Sequence, residues 1–401
     1  MNILKNTEAF DIQNWPRPDE FAEGISRRLV DQIAAEISQN GGQISFAEFM
    51  KMALYQPGLG YYSAGARKFG EDGDFITAPE MSPLFSRCLA RQCEEIISEF
   101  KATTILELGA GSGIMARDIL DELQRRDSLP SAYLILEPSA DLRERQRQLL
   151  QDTLPELAAL VTWLDKLPDQ PFKGIVLANE VLDAMPVHRV RNTNGTFHEL
   201  QVSIKEEMFN WVTQPMESDL TEKVNNIVST LPEDLPEDYV TEINMSLTAM
   251  MTSLSSVLDE GWIILIDYGY PRREYFHPQR MDGTLQCYYR HRVHADPFVF
   301  VGLQDITSSV DFTAIAEPAT SIGLQLGGFT TQSNFLIGNG LHTIIEEYGN
   351  SDDKLHTQYS HQAMQLLLPG RMGELCKVMA LSKNFEKPLS GFEFADHQYR
   401  L

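Results

Sequence analysis

Apolar and polar positions follow two rhythms along this chain. Near the start, Ile25, Leu29, Val30, Ile33 and Ile37 recur at three- and four-residue spacing, which predicts an amphipathic helix over 21–40. Ser45 stands where a helix cap belongs, predicting a short helix over 46–55 that Pro57 and Gly58 stop. A glycine-rich stretch, 58–73, contains Tyr61, Tyr62, Arg67 and Lys68. Thr77 and Glu80 have capping-box spacing, and Pro79 suits a first helical turn. The helix they predict runs through Leu84, Leu89, Ile96 and Ile97 to about residue 100.

From there the rhythm changes. Short apolar runs at 104–108, 133–136, 161–164 and 174–178 read as strands, with helical patterns at 114–125 and 140–151. Such alternation predicts a parallel sheet covered by helices on both faces. It breaks after residue 187, where 188–190 and 197–204 flank Asn192-Thr193-Asn194-Gly195, a hairpin signal. Residues 216–238 are acidic and proline-dotted and read as an insertion or mobile flap. Beyond them come a helix over 242–258, a strand over 262–268, a helix over 312–322, an extended segment over 325–335, a helix over 361–368 ended by Pro369-Gly370, and a strand over 377–381. The chain thus divides into an N-terminal helical segment (1–100), a core (101–190), an insertion (191–258) and the remainder of the core (259–401).

Composition narrows the classes. With 43 % hydrophobic residues, the 401-residue chain can fill a sizeable core, which excludes a mainly disordered protein. It has no run of about 18 apolar residues, so no membrane span is expected. Residues 1–20 show neither a secretory nor a mitochondrial leader pattern, and the expected location is the cytoplasm. The formal charge of −24 opposes nucleic-acid backbones; it favours a cationic partner such as an arginine- or lysine-bearing protein, or simply keeps the chain soluble. Cys88, Cys93, Cys287 and Cys376 form no C-x-x-C pair, which suits a reducing compartment. His291 and His294 have no third ligand nearby, so no metal is expected.

The sharpest chemical signal is ELGAGSG at 107–113, a buried strand running into alternating glycines and then a helix. Glycine admits positive φ and lets a ligand approach the backbone, and the helix start behind it offers free N–H groups. A dinucleotide site would need glycine or alanine at the place of Ile114. An acid followed by G-x-G-x-G is instead the form of S-adenosylmethionine (SAM) sites. Glu107, Gly109, Ala110, Gly111 and Gly113 are therefore the expected cofactor residues, with Glu107 near the methionine amino group. Glu137, at the end of the next strand, is placed to grip ribose hydroxyls. Asp165, after the third strand, is the candidate for the adenine amine. The fourth strand ends at Asn179-Glu180, with Asp183 close behind, and reactive groups gather at such strand ends. A carboxylate there can grip a guanidinium in bidentate fashion while the site aligns nitrogen, methyl and sulfur. Glu180 is the first choice for that role and Asp183 the second; the alternative for both is helix capping. Asn179, Thr77, Tyr61, Tyr62 and Asp74 are further cofactor-side candidates, and Asp267 and Tyr268 are substrate-side ones.

Several segments, in order, resemble the MidA family of SAM-dependent methyltransferases. They are GYYSAGARKFGEDGDFITAPEMSPLF (60–85), ELGAGSG (107–113), NEVLDAMPVHRV (179–190), IDYGY (266–270), VDFTAIAE (310–317) and PGRMGELCKVMAL (369–381). The resemblance implies a class I, Rossmann-like α/β fold with a seven-stranded, mostly parallel sheet. It also implies SAM as cofactor, a cofactor-covering role for 58–80, and methyl transfer to a protein acceptor, an arginine for the mitochondrial relatives. Where relatives often carry aromatic residues after the Asn-Glu pair, this chain has Val181 and Leu182, which bears on the acceptor pocket. A SAM-binding assembly factor without chemistry, docking a partner through 191–258, is the alternative from another class; a small-molecule methyltransferase is a third. The oligomeric state is left open, a homodimer among the options.

Overall fold

The computed structural model describes residues 15–64, 77–349, 353–368, 370 and 372–401. Arg67, Lys68, Asp74 and Pro369 lie outside the described residues. Among those described, the central sheet is built from β1 (Thr104–Leu108), β2 (Ala132–Leu136), β3 (Val161–Leu164), β4 (Phe172–Asn179), β5 (Leu258–Tyr270), β6 (Gln325–Thr331) and β7 (Cys376–Lys383). Their order is β3-β2-β1-β4-β5-β7-β6, with β7 antiparallel to both neighbours and the rest parallel. A two-residue strand, Val310–Asp311, pairs with the end of β5. Strand order reverses between β1 and β4, which opens a crevice at their carboxyl ends.

Successive strand residues serve opposite faces. Ile105, Ile175, Leu177, Ile264 and Val378 pack with the helices Pro83–Ile97 and Ile114–Arg125. Leu106, Val176, Ala178, Ile263 and Met379 pack on the other side with Leu247–Val257 and Thr313–Ala319. Each fully buried Leu or Ile contributes roughly 1.5–3 kcal/mol of transfer free energy, so this two-faced burial is what makes β1, β4 and β5 a rigid platform.

The N-terminal helix is Glu20–Gln39, with Ile25, Leu29, Ile33 and Ile37 buried. Ser45 caps Phe46–Tyr55 by accepting from the Glu48 N–H at 3.1 Å. The expected hairpin pairs His188–Thr193 with Thr196–Lys205 across Asn194 and Gly195, both at positive φ (52° and 77°) as a tight primed turn requires. Gln43–Ser45 pairs with this same hairpin, joining the N-terminal segment to the insertion in one sheet.

Elsewhere the chain departs from its sequence pattern. The predicted helix over 77–100 is two helices, Ala78–Met81 and Pro83–Ile97, because Pro83 follows Ser82, an extended cap residue accepting from the Leu84 N–H at 3.2 Å. Thr77 makes no side-chain cap bond, so the capping box is not formed. The supposed flap contains the helix Ser218–Ser229, whose Leu220, Val224 and Ile227 bury against Val190 and Tyr239. Glu242 starts no helix; it lies in the strand Val240–Ile243, and the helix begins at Leu247. The extended segment ends at Thr331, which caps Gln332–Gly338.

Candidate functional site

A cavity of about 800 Å³ opens at the reversal point, within the size range of cofactor sites. Glu107, Leu108, Gly109, Ala110, Gly111 and Ser112 form one wall. The three glycines have φ of 61°, 55° and 87°, a run of left-handed conformations that side chains resist. Gly113 caps Ile114–Arg125, and a Cβ there would lie 3.1 Å from Gln146. The Gly109 N–H donates to the Leu136 carbonyl at 3.0 Å, holding the bend against β2.

Glu107 is almost fully buried and its Oε2 accepts from the Tyr133 hydroxyl at 2.6 Å. Burial raises its carboxyl from 4.5 to about 7, partly offset by that hydrogen bond. Glu137 lines the cavity at the end of β2; its Oε1 accepts from the Ser139 N–H at 3.0 Å and its Oε2 from Gln146 Nε2 at 3.2 Å.

Gln146 was not singled out from the sequence, yet it joins three parts of the site. Besides Glu137, its Nε2 donates to the Gly111 carbonyl at 2.9 Å, and its Oε1 accepts from Trp163 Nε1 at 2.8 Å. The available signal was its position: with Leu142 and Leu150 it forms the buried stripe of Ala140–Thr153, a polar residue among apolar ones. Glu80, read from the sequence only as a capping-box residue, also belongs to the site. It lines the cavity and accepts from the Ser112 hydroxyl, tying the glycine bend to Ala78–Met81.

Asn179 and Glu180 form the opposite wall. Asn179 Nδ2 donates to Glu180 Oε1 at 3.3 Å, while Asn179 Oδ1 is buried with no hydrogen-bond partner among the described residues. Glu180 has a φ of 52°, a sparsely populated conformation for a residue with a side chain. Burial and the nearby Asp267 raise its carboxyl to about 8, against the pull of Asn179 and the Ala78 N–H. Tyr55 and Tyr62, stacked with ring centroids 5.5 Å apart, line the cavity beside them. The Tyr62 hydroxyl donates to both oxygens of Asp305 at 3.0 Å.

Several sequence candidates sit elsewhere, Asp267 and Tyr268 of β5 among them. Asp165 is not in the cavity wall; it is exposed and ion-paired with Arg143, because β3 ends outside the crevice. Asp183 is buried behind the wall rather than in it, where burial and the charges of Asp267, Asp305 and Glu180 push its carboxyl well up. Tyr61 is buried away from the cavity, whereas Thr77 lines it. Among the described residues no three His, Cys, Asp or Glu side chains converge as metal ligands do, and no helix is long and apolar enough to cross a membrane.

The site suits a sulfonium nucleoside with an amino-acid tail. Glu107 and the unpartnered Asn179 Oδ1 offer acceptors for an ammonium, Glu137 offers a carboxylate for vicinal hydroxyls, and the glycine bend leaves room for close approach. Comparison with known proteins agrees. A family model described as S-adenosyl-L-methionine-dependent methyltransferase matches residues 88–330. The solved structure of a COG1565 superfamily member from Burkholderia thailandensis, bound to S-adenosyl-homocysteine, is 39 % identical, with a TM-score of 0.91 over 96 % of this chain and 100 % of that one.

This chain belongs to the MidA family of SAM-dependent methyltransferases. A second structure, of an uncharacterized COG1565 superfamily protein from the same organism, is 38 % identical with a TM-score of 0.89. Among curated relatives, the mitochondrial protein arginine methyltransferase NDUFAF7 of Homo sapiens is 28 % identical over 90 % of this chain and 85 % of its own length. The Drosophila melanogaster homolog is also 28 % identical, over 77 % and 74 %. SAM is the cofactor, and the sheet is that of a class I methyltransferase.

Proposed function

We propose that this MidA-family protein methylates an arginine side chain of a protein acceptor. The observation that carries the reading is Glu180, a carboxylate in the cavity wall one residue beyond β4, held in a left-handed backbone and backed by buried Asp183, Asp267 and Asp305. Carboxyls crowded this closely hold protons until a cation arrives to stabilise their ionised form, which favours a cationic acceptor, and Tyr55 and Tyr62 add ring faces that attract cations. Relatives named as protein arginine methyltransferases, at 26–28 % identity, point the same way.

Bound SAM supplies an electrophilic methyl group on a sulfonium. Glu180 would grip the guanidinium through two hydrogen bonds and orient one nitrogen. It would then take the proton that leaves as the N–C bond forms and the methyl–sulfur bond breaks, the sulfur departing as the neutral thioether. A carboxyl at about 8 keeps its proton at neutral pH until an arriving cation stabilises the ionised form, which is then the competent proton acceptor.

The test is incubation of a cell extract with methyl-labelled SAM. Label is expected in acid-stable methylarginine with wild-type protein and not with Glu180→Gln, while both bind S-adenosyl-homocysteine. Label confined to metabolites, or found on another protein residue, would overturn the reading. Cofactor binding without any transfer would favour an assembly role.

A further inference from the structure

Asp267 is fully buried at the end of β5 and has no place in the cavity wall. Its Oδ2 accepts the N–H groups of Val181, Leu182 and Asp183 at 3.1, 2.8 and 3.3 Å, and its Oδ1 accepts from the Tyr268 N–H at 2.8 Å. Three successive amides converging on one oxygen form a concave anion cradle, here filled by the protein's own carboxylate. The cradle starts immediately after Glu180, whose N–H donates to the Ile266 carbonyl at 2.8 Å. β5 therefore grips both sides of the residue whose backbone is strained. A left-handed glutamate persists only where its surroundings over-determine it, and these four contacts do so.

We propose that Asp267 is a positioning residue for Glu180: by gathering three amides it locks the bend that turns the Glu180 carboxylate to the cavity. The inference rests on the role given to Glu180 above. It also extends to charge. The groups facing Glu180 are Asp267 and Tyr268 of β5, Asp183 in the bend, Cys376 of β7, and Asp305 and Tyr288 from a small antiparallel sheet of Gln286–Tyr289, Arg292–His294 and Asp305–Thr307, with the Asn179 amide and the Ala78 N–H as donors. Among these, Asp267 is the charge that bears most on Glu180. Asp267 thus couples the shape of the bend to the pH at which Glu180 ionises.

Two substitutions separate shape from charge. Asp267→Asn keeps one oxygen for the three amides and sets its NH2 against the Tyr268 N–H, so the bend stays and the charge goes. Asp267→Ala strands all four amides. Protein carrying δ-13C glutamate reports the Glu180 titration by NMR, its resonance identified by its absence in Glu180→Gln. The wild-type midpoint is expected near 8. In Asp267→Asn it should fall by about one pH unit, as removal of a neighbouring like charge requires. S-adenosyl-homocysteine should bind Asp267→Asn within about threefold of wild type and Asp267→Ala about tenfold more weakly, because Asn179 and Val181 line its cavity. An unchanged midpoint in Asp267→Asn, which a purely structural aspartate would give, overturns the inference; so does wild-type affinity in Asp267→Ala. If the alanine variant does not fold, the asparagine titration decides. Methyl transfer that survives Glu180→Gln would sink the role of Glu180 and leave the titration result standing by itself.

Discussion

Glu107 sets cofactor affinity against stability, and Glu107→Gln exposes the conflict. The carboxyl is raised from 4.5 to about 7 because the end of β1 strips its water, and Tyr133 returns only part of that loss. Between those values the folded state holds a proton that the unfolded state releases. Stability from this group is therefore complete below about pH 4.5, falls as pH rises through 7, and stays lowered above it. At about 1.36 kcal/mol per pH unit, the interval costs the cofactor-free protein about 3 kcal/mol at pH 8 and less than about 1 kcal/mol at pH 5. Glutamine keeps an acceptor for Tyr133 and never ionises. In urea unfolding, Glu107→Gln should gain about 2–3 kcal/mol more over wild type at pH 8 than at pH 5, every other titration cancelling in the comparison. The same variant loses the charge available to an ammonium, so calorimetry with S-adenosyl-homocysteine at pH 8 should show affinity down by about tenfold or more. A stability gain that does not depend on pH, or undiminished affinity, would refute the reasoning.

Three further outcomes are expected. Gly113→Val puts a branched side chain at a φ of 87° and against Gln146, which costs about 2 kcal/mol or more in local strain and should abolish measurable cofactor binding by calorimetry. Asn179→Ala removes the unpartnered buried acceptor; cofactor affinity should fall by about five- to thirtyfold while thermal unfolding changes little, and equal affinity would remove Asn179 from the site. Val224→Asp buries a charge among Leu220, Ile227 and Tyr239, so urea unfolding should show a loss of about 2–4 kcal/mol with cofactor affinity intact in the folded fraction.

The parts of the site legible in the sequence are those made by local chain reversals. Gly109, Gly111 and Gly113 need positive φ, and Glu107 and Glu137 follow directly from strand ends, so spacing alone locates them. The hairpin at Asn194-Gly195 was visible for the same reason. What escaped is tertiary. Gln146 belongs to the site only because Ala140–Thr153 packs across the glycine bend. Asp267 and Asp305 bear on Glu180 only because β5 and a separate small sheet meet there. Asp165 illustrates the converse: a strand-end acid in the right sequence place, drawn into an ion pair with Arg143. Glu242 fell on the wrong side of a boundary because burial on every residue of Val240–Ile243 outweighed its helix propensity. The break at Ser82-Pro83 was in the sequence, and the longer apolar stripe around it masked the stop.

The pairing of Gln43–Ser45 with Ser203, Val202 and Gln201 has a consequence for biosynthesis. The ribosome delivers the partner strand long after the segment it must receive. Until then the buried faces of Glu20–Gln39 and Phe46–Tyr55 have no complete surface to rest on, since Val187, Val202 and Ile306 belong to the same cluster. Closure of this cluster is therefore a late, long-range event, and a nascent chain halted before residue 200 would present sticky helices to chaperones rather than a finished half.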